Sequence, residues 1–151
     1  MIREELKKAL VDALKTKNEK KTATIRLINA AIKDKDIEAR PKGITDGIDD
    51  TAILSLLQSM VKQRKESIEM YKQGGREDLV ASEQAEIDII SAFLPQQMSE
   101  EETKKAIETV IQEIGATSIK DMGKVMGALK AKYAGQMDFS IASGLIKGLL
   151  A

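Results

Sequence analysis

The chain has 151 residues, 24 Lys+Arg against 24 Asp+Glu, no His and no Cys, and it is 42% hydrophobic but only 3% aromatic. The missing thiols and imidazoles exclude disulfides, Cys–His nucleophile pairs and the common zinc sites, and the balanced charge excludes a net positive field that would draw the whole molecule to nucleic acid. A core with so few aromatics has to be built from Leu, Ile, Val, Ala and Met, which suits packed helices better than pleated sheet and predicts an all-α fold.

Taken in chain order, Ile2, Leu6, Leu10, Ala13 and Leu14 recur at spacings of three and four and predict a first helix over 2–16. After a polar stretch at 17–21, Ile25, Ile28, Ala31 and Ile32 repeat the pattern and predict a second helix running through Lys35. The segment RPKGITDGIDD at 40–50 holds Pro41 and two glycines among acids, so it reads as a loop ended by Asp49 or Asp50 as a helix N-cap. Ile53, Leu57, Met60, Val61, Ile68 and Tyr71 then keep helical spacing for roughly six turns until Gly74–Gly75 supplies a stop. A fourth helix begins near Arg76, with Glu77 and Asp78 in its first turn as the helix dipole prefers, and carries Leu79, Ile87, Ile90 and Leu94.

Pro95 interrupts the periodicity, and Ser99 with Glu102 three residues later is a capping-box signature for a new helix. The predicted domain boundary lies there, giving an N-terminal four-helix domain at 1–95 and a small three-helix tail domain at 96–151. The tail helices are expected at 100–114, stopped by Gly115; at about 120–133, stopped before Gly135; and at about 138–150, with Asp138 as cap. The first residues, MIREELKKAL, are charged and amphipathic, and no stretch approaches the ~20 apolar residues of a membrane span, so a cytoplasmic location without membrane contact is expected.

Three constellations carry possible function. Along the third helix Leu57, Val61, Arg64, Ile68 and Tyr71 share one stripe, so a guanidinium sits where an apolar side chain belongs, and Glu83 stands between Leu79 and Ile87 on the fourth helix. An unpaired buried charge is costly, so either Arg64 and Glu83 form an ion pair inside the bundle, or Gln63, Arg64 and Glu83 make a polar ligand pocket. On the sixth helix Met122, Val125, Met126, Leu129 and Tyr133 share the core face, while Lys120, Gly123, Gly127 and Lys130 recur on an adjoining face with Lys124 at its edge. Each glycine inside a helix costs about 1 kcal/mol relative to Ala, so something benefits from the missing side chains. It is either a closely packed helix or nucleic-acid phosphates held by Lys120, Lys124 and Lys130 over a bare surface at Gly123 and Gly127. The third is a basic run, Lys15, Lys17, Lys20 and Lys21 followed by Arg26, Lys33 and Lys35, interleaved with Asp12, Glu19, Asp34 and Asp36, which reads as a solvated surface. Carboxylates such as Glu83 and Glu86 come with no nucleophile or metal motif; no catalytic residue, metal or cofactor is assigned.

The segments RLINAAIKDKDIEAR, MVKQRKESIEMYKQGGREDLVASEQAEI, FLPQQMSEEE and DMGKVMGALKAKYAGQMD, in this order, resemble the YqeY-like family over nearly the full chain. That resemblance implies a helical N-terminal domain joined to a small domain similar to the tail of the B subunit of the glutamine-dependent aspartyl/glutamyl-tRNA amidotransferase. Such a tail shows a GxVM segment, a later Gly and a short final helix, matched here by Gly123, Val125, Met126, Gly135 and the ending at Leu149 and Leu150. In the amidotransferase the tail contacts tRNA while the chemistry lies elsewhere, so the resemblance implies association with tRNA or a tRNA-charging assembly. It also implies a link to carbon–nitrogen ligase activity with glutamine as amido-N-donor, although this chain has no length for the subunit's catalytic domain. The expectation is a non-catalytic tRNA-binding or accessory module; a ligase component and a helical adaptor for a protein partner are the alternatives.

Overall fold

The computed structural model describes residues 1–151 and is built of helices without strands. The α-helices are α1 Ile2–Lys15, α2 Glu19–Ala39, α3 Asp50–Gln73, α4 Glu77–Ser91, α5 Glu100–Ile114, α6 Met122–Tyr133 and α7 Phe139–Leu150, with short 3-10 turns at Arg40–Lys42 and Ile119–Asp121. The all-α expectation therefore holds. The chain divides into two compact units, Met1–Leu94 and Pro95–Ala151.

In the first unit the predicted apolar stripes meet in one core, where Leu6, Ile25, Ile28, Ile53, Leu57 and Ile90 are fully buried. The α3–α4 pair is its most extensive contact, and α2 packs on both α1 and α4. Helix α2 runs four residues beyond the expected end at Lys35, because Ala39 is buried and Asp36 is held by a partner described below. Of the two candidate caps for α3, Asp49 fills the role: its Oδ1 accepts the Ala52 N–H at 2.9 Å.

In the second unit Ile107, Val110, Val125, Leu129, Met137, Ala142 and Ile146 form a separate core. The capping box at its start is complete: Ser99 Oγ accepts the Glu102 N–H at 3.1 Å, and Glu102 Oε1 accepts the Ser99 N–H at 3.3 Å. Asp138 caps α7, accepting the Ser140 and Ile141 amides. The loop between α6 and α7 is tied to the segment before α5, where Met98 N–H donates to Gln136 O at 2.9 Å. The two tyrosines are divided between the units, Tyr71 half-buried on α3 and Tyr133 half-buried at the end of α6.

Candidate nucleic-acid interface

Helix α6 is held by one side only. Val125 and Leu129 are fully buried, and Met122, Met126 and Tyr133 pack around them. At about 100° per residue the opposite side carries Gly123, Gly127 and Ala131, with Lys130 along one margin and Lys124 along the other. All five of these residues are exposed. A Cβ added at Gly123 or Gly127 would meet no atom within 4 Å, so neither glycine serves close packing within this chain. The bare strip faces open space.

Lys120 differs slightly from its expected place. It lies in the 3-10 turn Ile119–Asp121, and α6 proper starts at Met122. Lys120 is exposed like the other two, and none of the three lysines makes an ion pair or a side-chain hydrogen bond. The remaining lysine of the helix, Lys132, is by contrast tied to Glu113 on α5 at 2.9 Å. One carboxylate tempers the strip: Asp121 accepts the Thr117 N–H at 3.0 Å, which with Lys124 nearby holds it below the usual carboxylate range.

The neighbouring helix α7 repeats the device, which the sequence reading passed over. Gly144 and Gly148 are exposed, a Cβ at either meets nothing within 4 Å, and Lys147 stands exposed between them. The signal was present as two glycines four residues apart, the spacing already noted in α6.

The second constellation contains the expected Arg64–Glu83 ion pair, with a nearer partner beside it. Arg64 is largely buried on the α3 stripe, but its close partner is Glu86: Nε donates to Oε2 at 2.8 Å, whereas Glu83 stands at 4.0 Å. Arg64 also donates to the Met60 carbonyl at 3.1 Å, and Lys20 reaches across from α2 to Glu86 at 3.2 Å and to Ser82 Oγ at 2.8 Å. Gln63 is exposed, so its side chain takes no part. No buried side-chain nitrogen or oxygen in the protein lacks a hydrogen-bond partner. The geometry is that of a satisfied ion-pair network joining α2, α3 and α4, and Lys20 thereby leaves the solvated basic run in which the sequence placed it.

A third polar cluster was missed altogether. Arg3 makes a two-pronged pair with Asp36, Nη1 to Oδ2 at 3.0 Å and Nη2 to Oδ1 at 2.8 Å, and Nη2 also donates to the Ile48 carbonyl at 3.0 Å. Ile48 N–H returns a bond to Asp36 Oδ1 at 2.8 Å. These hydrogen bonds push Asp36 below and Arg3 above their ordinary values. Gly47 is required beside them: its φ is +92°, and a Cβ there would lie 2.7 Å from Arg3 Nη2. Partners 33 residues apart leave no periodic trace. No group of three or more potential metal-ligating side chains exists, and no helix is long and apolar enough to cross a membrane.

A profile of the family described as "Yqey-like protein" matches residues 3–150. The chain belongs to the YqeY-like family. Among its relatives, the YqeY-like chain is 38% identical over 89 residues to "Altered inheritance of mitochondria protein 41, mitochondrial" of Eremothecium gossypii, covering 59% of this chain and 46% of that protein. The protein of the same name from Lachancea thermotolerans is 38% identical over 91 residues, 60% of this chain and 46% of its own length. That of Pyrenophora tritici-repentis is 33% identical over 128 residues, 82% of this chain and 68% of its own length. The YqeY-like chain thus spans about half the length of the first two relatives. Their names overturn the cytoplasmic location expected from the sequence, since the relatives are named as mitochondrial. The expectation looked only for apolar leaders and spans, whereas mitochondrial transit segments are amphipathic and basic.

Proposed function

We propose that this YqeY-like protein is a non-catalytic RNA-binding module that engages tRNA, alone or within a tRNA-charging assembly, through the exposed side of α6. The observation that carries the reading is the open glycine strip at Gly123 and Gly127 with Lys120, Lys124 and Lys130 exposed and without ion pairs. Glycines cost helix stability, here without any packing return inside the chain. A nucleic-acid backbone benefits from both features, because phosphates reach the helix unobstructed and meet ammonium groups not already neutralised. With no aromatic side chain on the strip, contact is to backbone shape and charge rather than to stacked bases. The resemblance of the tail to the amidotransferase B subunit supports tRNA as the RNA.

The test is titration of tRNA at several salt concentrations. Affinity should fall with salt, and replacing Lys120, Lys124 and Lys130 by Ala should weaken binding and flatten the log–log salt slope by up to about 2–3. Gly123→Ala with Gly127→Ala should separate stability from binding: the helix gains up to about 1 kcal/mol per site while two methyl groups obstruct the strip. Absence of tRNA binding at low salt removes the proposal.

A second reading, a protein adaptor, is favoured by Ile119, Ile141 and Leu149, which are 52%, 44% and 42% exposed in the same unit. Affinity capture with and without ribonuclease separates the two, since RNA-bridged partners vanish on digestion and a docked protein stays.

A further inference from the structure

The first unit carries a basic surface of its own. Lys7, Lys8, Val11, Asp12 and Lys15 on α1, with Lys21 in the first turn of α2, line an open depression. Four ammonium groups there face one carboxylate, although the chain as a whole is neutral. The sequence spread these lysines over two helices, among acids of which Asp12 alone lines the depression. Glu19 does not line the depression, and Lys20 points instead into the network with Glu86. Lys8, Lys15 and Lys21 make no ion pair, and Lys7 has only the exposed Glu4 at 3.8 Å, a contact of small worth in water. Lys8 and Lys15 are two helical turns apart, so the row of charge runs for about 10 Å, enough to pass several successive phosphates of a nucleic-acid strand.

We propose that this lysine-lined depression on α1 and the start of α2 is a second RNA contact, holding phosphates of an RNA backbone. The proposal rests on the RNA reading above. Charge complementarity selects the occupant: the site offers several unneutralised cations in a row, no aromatic side chain and an open floor, the features of backbone binding without base readout. The lysine stems and Val11 supply an apolar floor on which sugar faces can rest.

The experiment uses the full chain and tRNA as probe. Lys7→Gln, Lys8→Gln, Lys15→Gln and Lys21→Gln are combined in one variant, with Lys33→Gln, Lys42→Gln, Lys62→Gln and Lys65→Gln as a control of equal charge change on exposed lysines outside the depression. Circular dichroism confirms folding in both. The depression variant should lose about 2–3 from the salt slope while the control keeps nearly all of it, and Asp12→Asn, which removes the opposing carboxylate, should tighten binding. Acetylation of Lys7, Lys8, Lys15 and Lys21 should also slow when tRNA is bound. Equal losses in the depression variant and the control would overturn the proposal, as would an unchanged slope, which would point to an acidic protein segment as the occupant. If the wild-type chain binds no tRNA, both this proposal and the RNA reading fail; if it binds with a slope insensitive to these four lysines, only this one does.

Discussion

At the scale of single residues, Lys17 shows how a position is filled against preference. Helix α1 closes with Asn18 N–H bonded to Ala13 O at 2.9 Å and Lys17 N–H to Leu14 O at 3.3 Å, which places Lys17 at φ 56°, the left-handed conformation that glycine adopts freely. After α3 the same pair of bonds is made with Gly75 at φ 70° in the equivalent place. Lys17→Gly should therefore raise stability by about 0.5–1 kcal/mol, read as a higher urea midpoint, the relief of left-handed strain outweighing the greater freedom of the unfolded chain. Arg64 presents the opposite case, a costly residue fully committed. Arg64→Ala leaves Glu86 and Glu83 largely buried with only Lys20 near, and should cost about 2–3 kcal/mol in denaturant unfolding. A loss under 0.5 kcal/mol would show the network to be worth no more than a surface pair. Periodicity found Arg64 and Glu83, which pair at 4.0 Å, but not the nearer partner Glu86. Glu83 and Glu86 lie one turn apart on α4, and the vertical register of two packed helices decides which carboxylate arrives at 2.8 Å.

At the scale of elements, the helices and their ends were legible, and what holds the α2–α3 connection was not. Caps such as Ser99, Asp49 and Asp138 act within four residues, so their pattern is written locally. The α2–α3 connection is instead fixed by Arg3 and Asp36, distant in sequence from each other. Its strength has a predictable pH dependence. Because the Arg3 and Ile48 hydrogen bonds lower the Asp36 value in the folded protein, the folded state binds that proton more weakly than the unfolded chain. The contribution is present in full above the unfolded carboxylate value of about 3.9 and is lost as pH falls through the lower folded value. Amide exchange at Ile48, whose N–H is bound to Asp36 Oδ1, should report this: protected near neutral pH, opening in acid, and open throughout in Asp36→Ala. Continued protection of Ile48 in that variant would show that the loop is held by other means.

At the scale of the whole molecule, each unit has its own core, drawn from residues up to Leu94 in one and from Met98 onward in the other. A fragment of residues 1–94 should keep a cooperative thermal transition, whereas the shorter 95–151 piece, near the lower size at which one core suffices, should melt broadly and at lower temperature. An unfolded 1–94 fragment would disprove the independence of the first core. The glycine strip was visible in the sequence, but its exposure was not, because a small residue on a helix serves tight packing and open contact equally well. The lysine depression was less legible still, since it depends on which side chains two helices bring together. The scarcity of aromatic residues has a practical outcome. With no tryptophan and one phenolic ring in each unit, replacing Tyr133 with Phe leaves an ultraviolet emission signal that belongs to the first unit alone, and replacing Tyr71 with Phe assigns it to the other. The native chain thus comes already fitted with a separate optical reporter for each half.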